Sequence, residues 1–216
     1  MSRSFGSFRL LVMDMDSTLI TIECIDEIAD FAEQKVEVAA ITAAAMRGEI
    51  DWPTSLRQRV ALLRGLDESV LQRVYDERLR LTPGATALLK AAHDAHIVTL
   101  LVSGGFTFFT DRLKVRLNLN AAFSNQLEII NGTLTGNVIG ALCDAEAKAQ
   151  YVREAAARIG ATRDEIMVIG DGANDLIMMA EAGTSIAYRA KPVVQENATH
   201  AINGGGLDAV LALFPI

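Results

Sequence analysis

The stretch MDMDSTLI, residues 13–20, begins at the last residue of an apolar run, LLVM, at residues 10–13. A short, continuous apolar run that ends in polar residues is typical of a buried parallel strand. Ligand sites in open α/β sheets lie beyond the carboxyl ends of such strands. We therefore expect Asp14 and Asp16 to project into a functional site at the end of the first strand.

The spacing of these two acids leaves their geometry open. Because side chains alternate along a strand, Asp14 and Asp16 could face the same way, or the backbone could turn between them and free a carbonyl oxygen for a cation. Two carboxylates this close repel each other unless a metal or a shared proton relieves the repulsion. Ser17 and Thr18 add hydroxyls at the same place. Taken alone, the segment is also compatible with acids that end a strand and only cap the next helix.

Two later apolar runs also end in polar residues. Residues 97–102 lead into Ser103-Gly104-Gly105, which exposes a hydroxyl and bare backbone N–H groups to an incoming anion. Residues 166–169 lead into Gly170-Asp171-Gly172-Ala173-Asn174-Asp175, where glycines allow a sharp bend and two acids and an amide converge. This second segment alone could be a turn or a calcium loop, although it lacks the ligand pattern and terminal Glu of an EF-hand.

Lys148 lies between these two segments, in the Ala-rich stretch 144–149. The stretch has strong helix propensity, so the local sequence alone favours an ordinary surface lysine. The order along the chain points further: an acid pair with hydroxyls, a Ser at a strand end, a Lys, and then GDGxND. This order resembles the four motifs of the haloacid dehalogenase superfamily of phosphatases and, within it, the phosphoserine phosphatase family, over nearly the whole chain.

The resemblance implies roles for individual residues of the core. Asp14 would be the nucleophile and Asp16 the general acid and base, while Lys148 would hold the nucleophile and the phosphate. The other implied residues are substrate and phosphate contacts at Ser103, Gly104 and Asn174, Mg²⁺ ligands at Asp14, Asp171 and the backbone carbonyl of Asp16, and supporting residues at Thr18 and Asp175. The implied reaction is the Mg²⁺-dependent hydrolysis of O-phospho-L-serine through an aspartyl-phosphate, the last step of serine biosynthesis.

The implied chemistry explains the residue types. Phosphoryl transfer needs in-line positioning and neutralisation of the charge on the phosphoryl oxygens. An aspartate nucleophile splits one difficult hydrolysis into two transfers. Asp16 must protonate the departing alkoxide and then take a proton from water, so it needs a raised pKa. Carboxylate ligands without a His or Cys cluster favour Mg²⁺ over zinc.

Substrate specificity is expected to come from residues between the first two motifs. In the family that the chain resembles, a Glu at the place of Glu23 meets the substrate amino group, and Arg59 would bind the substrate carboxylate, with Met46 and Trp52 as apolar walls. Trp52 departs from the family pattern, in which Phe is more usual. Glu23 could instead be a first-turn helix acid, and Arg57 could be the carboxylate partner in place of Arg59.

The organisation of the chain predicts an α/β fold, in which a Rossmann-like parallel sheet core flanked by helices carries an inserted helical cap and a small β-hairpin. Helical periodicity runs through residues 25–36 and 56–79, and Thr82-Pro83-Gly84 breaks it. We expect residues 1–20 and 82–216 to form the catalytic core and residues 21–81 to form the cap, because a connection this long above a strand end is usually functional.

The hairpin is predicted from its turn. Asn131-Gly132 lies between the alternating segments 126–130 and 133–138 and is the strongest short-range signal for a type I′ turn. Short strands at residues 185–188 and 200–202 should complete the sheet.

Composition agrees with a soluble enzyme of the cytoplasm, and the resemblance implies a small-molecule substrate. The 216 residues are 50% hydrophobic and can bury a sizeable core, and the net charge of -7 without a basic run argues against a nucleic-acid partner. Cys24 and Cys143 are expected to be free thiols in a reducing compartment. We predict no signal peptide and no membrane-spanning segment. The oligomeric state is left open.

Two other classes of protein share part of this pattern. A response-regulator receiver also places a strand-end Asp, further acids, a hydroxyl and a Lys around Mg²⁺, but it lacks a cap insertion, and the spacing of Asp14 and Asp16 argues against it. A phosphotransferase, or a phosphatase for another small phosphorylated metabolite, would have the same fold and chemistry with a different acceptor or substrate, and only the cap residues distinguish these alternatives.

Overall fold

The computed structural model describes residues 3–215, and seven strands within them form one sheet. The strands are β1 (Leu10–Met13), β2 (Val98–Phe106), β3 (Ala121–Ile130), β4 (Thr133–Ile139), β5 (Ile166–Gly170), β6 (Thr184–Tyr188) and β7 (His200–Ile202). They lie side by side in the order β4-β3-β2-β1-β5-β6-β7. Every neighbouring pair is parallel except β3 and β4. The predicted Rossmann-like α/β fold is confirmed.

The helices are α1 (Cys24–Phe31), α2 (Lys35–Met46), α3 (Trp52–Ala61), α4 (Ser69–Arg73), α5 (Ala85–Asp94), α6 (Thr107–Arg116), α7 (Ala145–Ile159), α8 (Leu176–Ala180), α9 (Pro192–Asn197) and α10 (Ala209–Leu213). A wider helical turn at Val74–Arg78 continues α4. The first four helices lie between β1 and α5 in the chain, within the segment predicted as the cap. The domain boundaries at residues 20 and 82 stay a prediction.

The central strand β1 is buried on both faces of the sheet. Leu11 and Met13 belong to one apolar cluster, and Leu10 and Val12 belong to another. Because successive side chains of a strand point to opposite faces, the two clusters pack on opposite sides of the sheet. This double burial explains why the strand reads as a continuous apolar run, and it fixes the carboxyl end of β1 at the centre of the molecule.

The hairpin belongs to the main sheet. The predicted turn is present, with φ of 51° at Asn131 and 77° at Gly132, as a type I′ turn requires. The first hairpin strand starts earlier than predicted, at Ala121, and its first half pairs in parallel with β2. The hairpin therefore forms one edge of the seven-stranded sheet.

The two chain segments that lead into and out of helices α1 to α4 pair with each other. The Thr21 N–H donates to the Arg80 carbonyl and the Thr82 N–H donates to the Leu19 carbonyl, both at 3.0 Å. Ile20 lies opposite Leu81 in an antiparallel bridge between them. The two connections thus form a short two-stranded ribbon.

A second attachment joins the α3–α4 connection to the hairpin. The Gly65 N–H donates to the Leu134 carbonyl at 2.9 Å, and the Leu134 N–H donates to the Leu66 carbonyl at 2.8 Å. The Glu68 N–H donates to the Gly132 carbonyl at 2.8 Å. The helical segment above the sheet is therefore held at the ribbon and at the hairpin. No helix within residues 3–215 is long and apolar enough to cross a membrane.

Candidate active site

The carboxyl end of β1 opens into a wide turn at Met15–Leu19. The turn begins between the two acids, so Asp14 ends the strand and Asp16 lies within the turn. The Asp16 carboxylate accepts a hydrogen bond from the Cys24 backbone N–H at 3.2 Å. Burial, followed by the nearby Glu23 carboxylate, raises the pKa of Asp16 to about 7. The second of the two geometries left open by the sequence, a turn between the acids, is the one observed.

Lys148 is buried next to Asp14 at the end of β1. Its Nζ donates to Asp14 Oδ1 at 2.6 Å and to Asp175 Oδ1 at 2.8 Å. Burial alone would lower the pKa of Lys148, but the two carboxylates outweigh it, and the net shift is upward, so the ammonium stays charged. The local expectation of a surface lysine is wrong, because the apolar face of the Ala-rich helix α7 packs against the sheet and turns Lys148 inward.

Three carboxylates converge beside Lys148. One oxygen from each of Asp14, Asp171 and Asp175 lies within 4.8 Å of the others. The Thr18 hydroxyl donates to Asp171 Oδ1 at 3.1 Å. Burial, followed by Asp175, raises the pKa of Asp171 to about 7, and burial also raises the pKa of Asp14 well above its usual range. A set of hard carboxylate oxygens that repel one another is the donor set that a divalent cation binds.

The glycines of the GDGxND segment allow Asp175 to close this cluster. Asp175 Oδ2 accepts the backbone N–H groups of Asp171 and Gly172, both at 3.1 Å. A Cβ on Gly170 would lie 2.5 Å from Asp175 Oδ2, so no larger residue fits there. The segment thus folds around the Asp175 carboxylate. These hydrogen bonds hold the Asp171 backbone beside the cluster.

The Ser-Gly-Gly segment of β2 lies beside the acid pair. The Ser103 hydroxyl is buried and accepts the Gly105 N–H at 2.9 Å. A Cβ on Gly105 would lie 2.8 Å from Asp16 Oδ2, so a glycine is needed for this close approach. On the other side of the segment, a Cβ on Gly104 would lie 3.0 Å from the Trp52 ring. Helix α3 therefore covers the Ser-Gly-Gly segment with its tryptophan.

Glu23 and Arg59 belong to the helical segment, at the start of α1 and in α3. The Ser17 hydroxyl donates to Glu23 Oε1 at 2.5 Å, and burial raises the pKa of Glu23. Burial lowers the pKa of Arg59, while Asp26 and then Glu23 oppose that shift. Arg57, the alternative carboxylate partner, is exposed and is not among the residues around the cavity described next.

A cavity of about 770 Å³ lies between the sheet motifs and helices α1 to α3. The predicted site residues that line it are Asp14, Asp16, Glu23, Met46, Trp52, Arg59, Ser103, Gly104, Asp171 and Asn174. Thr18, Lys148 and Asp175 are buried and join the same cluster through hydrogen bonds. The structure thus brings the predicted residues together around one cavity, and their individual roles stay predictions.

Three contacts in and around the cavity were not predicted from the sequence. Ser17 has a left-handed backbone, with φ of 55°, and its hydroxyl holds Glu23. Lys191 lines the cavity, and its Nζ lies 3.7 Å from Met46 Sδ. Asn125 lies fully buried behind the Ser-Gly-Gly segment. No periodicity or turn signal distinguishes Lys191 or Asn125, because both are placed by contacts with residues far away in the chain.

Comparisons with known proteins agree with this geometry. The model of haloacid dehalogenase-like hydrolases matches residues 11–180. A phosphoserine phosphatase of Polaromonas sp. (strain JS666) is 54% identical, over 96% of this chain and 90% of that protein. A phosphoserine phosphatase of Albidiferax ferrireducens is 51% identical, over 97% of this chain and 90% of that protein. A solved phospho-aspartyl intermediate analogue of phosphoserine phosphatase superposes with a TM-score of 0.90 at 36% identity, over 96% of this chain and 99% of that chain.

The chain therefore belongs to the haloacid dehalogenase-like hydrolase family. The two relatives named above, at 54% and 51% identity, are phosphoserine phosphatases. The family resemblance predicted from the motifs is confirmed.

Proposed function

We propose that this protein hydrolyses O-phospho-L-serine to L-serine and inorganic phosphate through an aspartyl-phosphate on Asp14. One observation carries the proposal. A single cavity is lined by a buried carboxylate paired with Lys148 and by the opposite charges of Glu23 and Arg59. The first pair suits a phosphoryl group, and the second suits the ammonium and carboxylate of an amino acid.

The proposed first step is attack of an Asp14 carboxylate oxygen on phosphorus. The bond from phosphorus to the serine oxygen breaks, and Asp16 gives its proton to the departing alkoxide. Lys148 keeps Asp14 oriented and offsets negative charge next to it. In the second step Asp16 takes a proton from water, whose oxygen attacks phosphorus and releases phosphate and the Asp14 carboxylate. A pKa near 7 suits Asp16 to both proton transfers at neutral pH.

The carboxylate cluster is proposed to hold Mg²⁺. Asp14, Asp171 and the backbone carbonyl of Asp16 would be ligands, and Asp175 would support them through its contacts with Lys148 and the Asp171 N–H. When bound, Mg²⁺ would neutralise charge on the phosphoryl oxygens. The oxygen-only donor set fits this ion, since the described residues bring no His or Cys into the cluster.

The phosphate and amino-acid ends of the substrate are proposed to meet different walls. Ser103, Gly104 and Asn174 would contact the phosphate, while Glu23 would bind the ammonium and Arg59 the carboxylate. Met46 and Trp52 would enclose the apolar part between them. The Ser17 hydroxyl supports this assignment of Glu23, because it fixes the carboxylate at the cavity wall.

We also propose the cytoplasm as the location of the reaction. Cys24 and Cys143 are both free and buried, and free thiols are typical of a reducing compartment. Burial raises the pKa of Cys143 to about 11, so this thiol is mostly protonated and unreactive.

A panel of phosphomonoesters tests the substrate. Phosphate release from phosphoserine, phosphothreonine, glycerol phosphate, sugar phosphates and p-nitrophenyl phosphate is measured with and without Mg²⁺. We expect the highest kcat/KM for phosphoserine and no turnover without the metal. Equal kcat/KM across the panel would reject the substrate and leave the aspartyl-phosphate chemistry standing. Transfer of phosphate to an added alcohol would point to a phosphotransferase.

A further inference from the structure

Asn125 holds two separate parts of the candidate active site with one side chain. It lies in β3 and is fully buried. Its Nδ2 donates to the Gly104 carbonyl at 2.8 Å, and its Oδ1 accepts the Cys143 backbone N–H at 2.8 Å. A buried amide whose two ends are both hydrogen-bonded is a rigid link between its partners.

The Gly104 carbonyl needs this partner because β2 leaves its ladder there. Val102 pairs with Phe123, and Phe106 pairs with Asn125, so three residues of β2 face a single residue of β3. The two additional residues form a bulge, which re-aims the backbone at the expense of ladder hydrogen bonds. The Asn125 side chain replaces the lost partner of the Gly104 carbonyl.

The Gly104–Gly105 peptide is consequently fixed on both sides. Its carbonyl is held by Asn125, and its N–H is held by the Ser103 hydroxyl at 2.9 Å. Glycine has the freest backbone of any residue, so two adjacent glycines would sample many conformations without such bonds. Fixing this peptide fixes the direction of the neighbouring groups proposed to contact phosphate.

The other end of the Asn125 amide meets the start of helix α7. Cys143 precedes Asp144, whose side chain caps α7 by accepting the Ala147 N–H at 2.9 Å. Lys148 lies in the first turns of the same helix and reaches Asp14. A shift of the helix start would therefore shift the Lys148 ammonium.

We propose that Asn125 is a positioning residue that sets the Ser103-Gly104 phosphate contacts and Lys148 at a fixed separation. The inference rests on the proposed function and adds to it a residue that touches no substrate atom. A phosphoryl group that is contacted from two sides needs both sets of contacts at the correct distance from each other. Displacing one set by about 1 Å can reduce the rate about 100-fold. The Asn125 amide fixes this distance through its two hydrogen bonds.

Two substitutions test the two hydrogen bonds of the Asn125 amide separately. Asn125→Asp keeps the shape and the acceptor for the Cys143 N–H and, at a pH where its carboxyl group is ionised, removes the donor to the Gly104 carbonyl, while Asn125→Ala removes both. For p-nitrophenyl phosphate we expect kcat to fall roughly 10- to 100-fold in each variant. We expect faster hydrogen exchange at the Gly105 N–H in both, and at the Cys143 N–H only in Asn125→Ala.

Asn120 provides a matched control at the other end of the same pair of strands. Asn120 directly precedes β3, and its Oδ1 accepts the Thr99 backbone N–H of β2 at 2.8 Å. Asn120 is exposed, so we expect Asn120→Ala to lower Tm less than Asn125→Ala does and to keep the wild-type kcat. An equal loss of kcat in Asn120→Ala, or kcat within about twofold of wild type in both Asn125 variants, would overturn the proposal.

Binding of inorganic phosphate tests the role of Asn125 independently of the substrate assignment. We expect its Kd, measured by calorimetry, to rise roughly tenfold in Asn125→Asp and to stay unchanged in Asn120→Ala. This result depends on the phosphate site and is the same whichever phosphomonoester is the natural substrate. If Asn125→Ala fails to fold, the isosteric Asn125→Asp decides the question. An unchanged phosphate Kd in folded Asn125→Asp contradicts the inference.

Discussion

Lys148 Nζ lies 2.6 Å from Asp14 Oδ1, and both side chains are buried. Lys148 also pairs with Asp175, so a single ammonium offsets two buried carboxylates. Removing one member of a buried ion pair leaves an uncompensated charge, which costs far more than an exposed pair contributes. The same contact therefore matters for the fold as well as for the proposed chemistry.

The first prediction concerns the stability of this buried cluster. Lys148→Ala should lower the free energy of unfolding by about 3–5 kcal/mol, because Asp14 and Asp175 lose their shared cation. Urea unfolding measures the change. Lys90→Ala is the matched control, since Lys90 pairs with Asp94 on the exposed surface, and little change is expected there. Equal losses in the two variants would show that the buried pairs contribute no special stability.

The second prediction concerns the nucleophile. Asp14→Asn should fold with unchanged or slightly higher Tm, because Lys148 keeps Asp175 as a partner and a buried carboxylate with a raised pKa is replaced by a neutral amide. Phosphatase activity should fall to a trace, since an amide is a poor nucleophile. Single-turnover assays with phosphoserine measure the loss. More than a trace of wild-type kcat in a purified sample rules out Asp14 as the nucleophile.

The third prediction separates the metal ligands from the general acid and base. Asp171→Asn should abolish Mg²⁺ binding in calorimetry, because it removes one of the converging carboxylates. Asp16→Asn should keep Mg²⁺ binding and lose turnover, because its proposed metal contact is the backbone carbonyl. The reverse pattern, with binding lost in Asp16→Asn and kept in Asp171→Asn, would exchange the proposed roles.

The fourth prediction uses the two neighbouring arginines of α3. Arg59 lines the cavity, whereas Arg57 is exposed outside it. A charged hydrogen bond contributes about 1.5–3 kcal/mol, so Arg59→Ala should lower kcat/KM for phosphoserine roughly 10- to 150-fold. Turnover of p-nitrophenyl phosphate, which has no carboxylate, should change little. Arg57→Ala is the matched control and should keep both activities. A large loss in Arg57→Ala alone would transfer the role to Arg57.

The strand-end motifs were predictable from sequence because two simple signals coincide. Continuous apolar runs mark buried parallel strands, and polar residues such as Asp14, Ser103 and Asp171 follow where those runs end. Parallel strands end at one edge of the sheet, so residues far apart in the chain meet there. The sheet order then places β2 and β5 on either side of β1. Neither helix periodicity nor composition was needed for this part of the site.

The remaining contacts depend on packing that local sequence does not encode. Lys148 is 134 residues from Asp14 in the chain, and its own Ala-rich surroundings favour a surface position. Only the order of the motifs predicted its role. Asn125 was missed because its two partners come from a β-bulge and a helix start, which are set by strand register. The start of β3 was missed because residues 121–124, Ala-Ala-Phe-Ser, do not alternate between apolar and polar side chains.

The fifth prediction concerns motion of the helical segment over the cavity. Because the connections at Thr21 and Thr82 pair in one ribbon, they should flex together as a single hinge.

Trp52 is the only tryptophan of the chain and lies against Gly104, so its fluorescence reports the contact between α3 and the phosphate segment. We expect beryllium fluoride with Mg²⁺ to shift the Trp52 emission, because the mimic occupies Asp14 and draws α3 toward the site. Asp14→Asn is the matched control and should show no shift, since the mimic needs the carboxylate. Hydrogen exchange should show added protection in α3 and unchanged protection at the ribbon amides. An identical emission shift in Asp14→Asn, or none in the wild-type protein, would show that closure is not coupled to the occupation of Asp14.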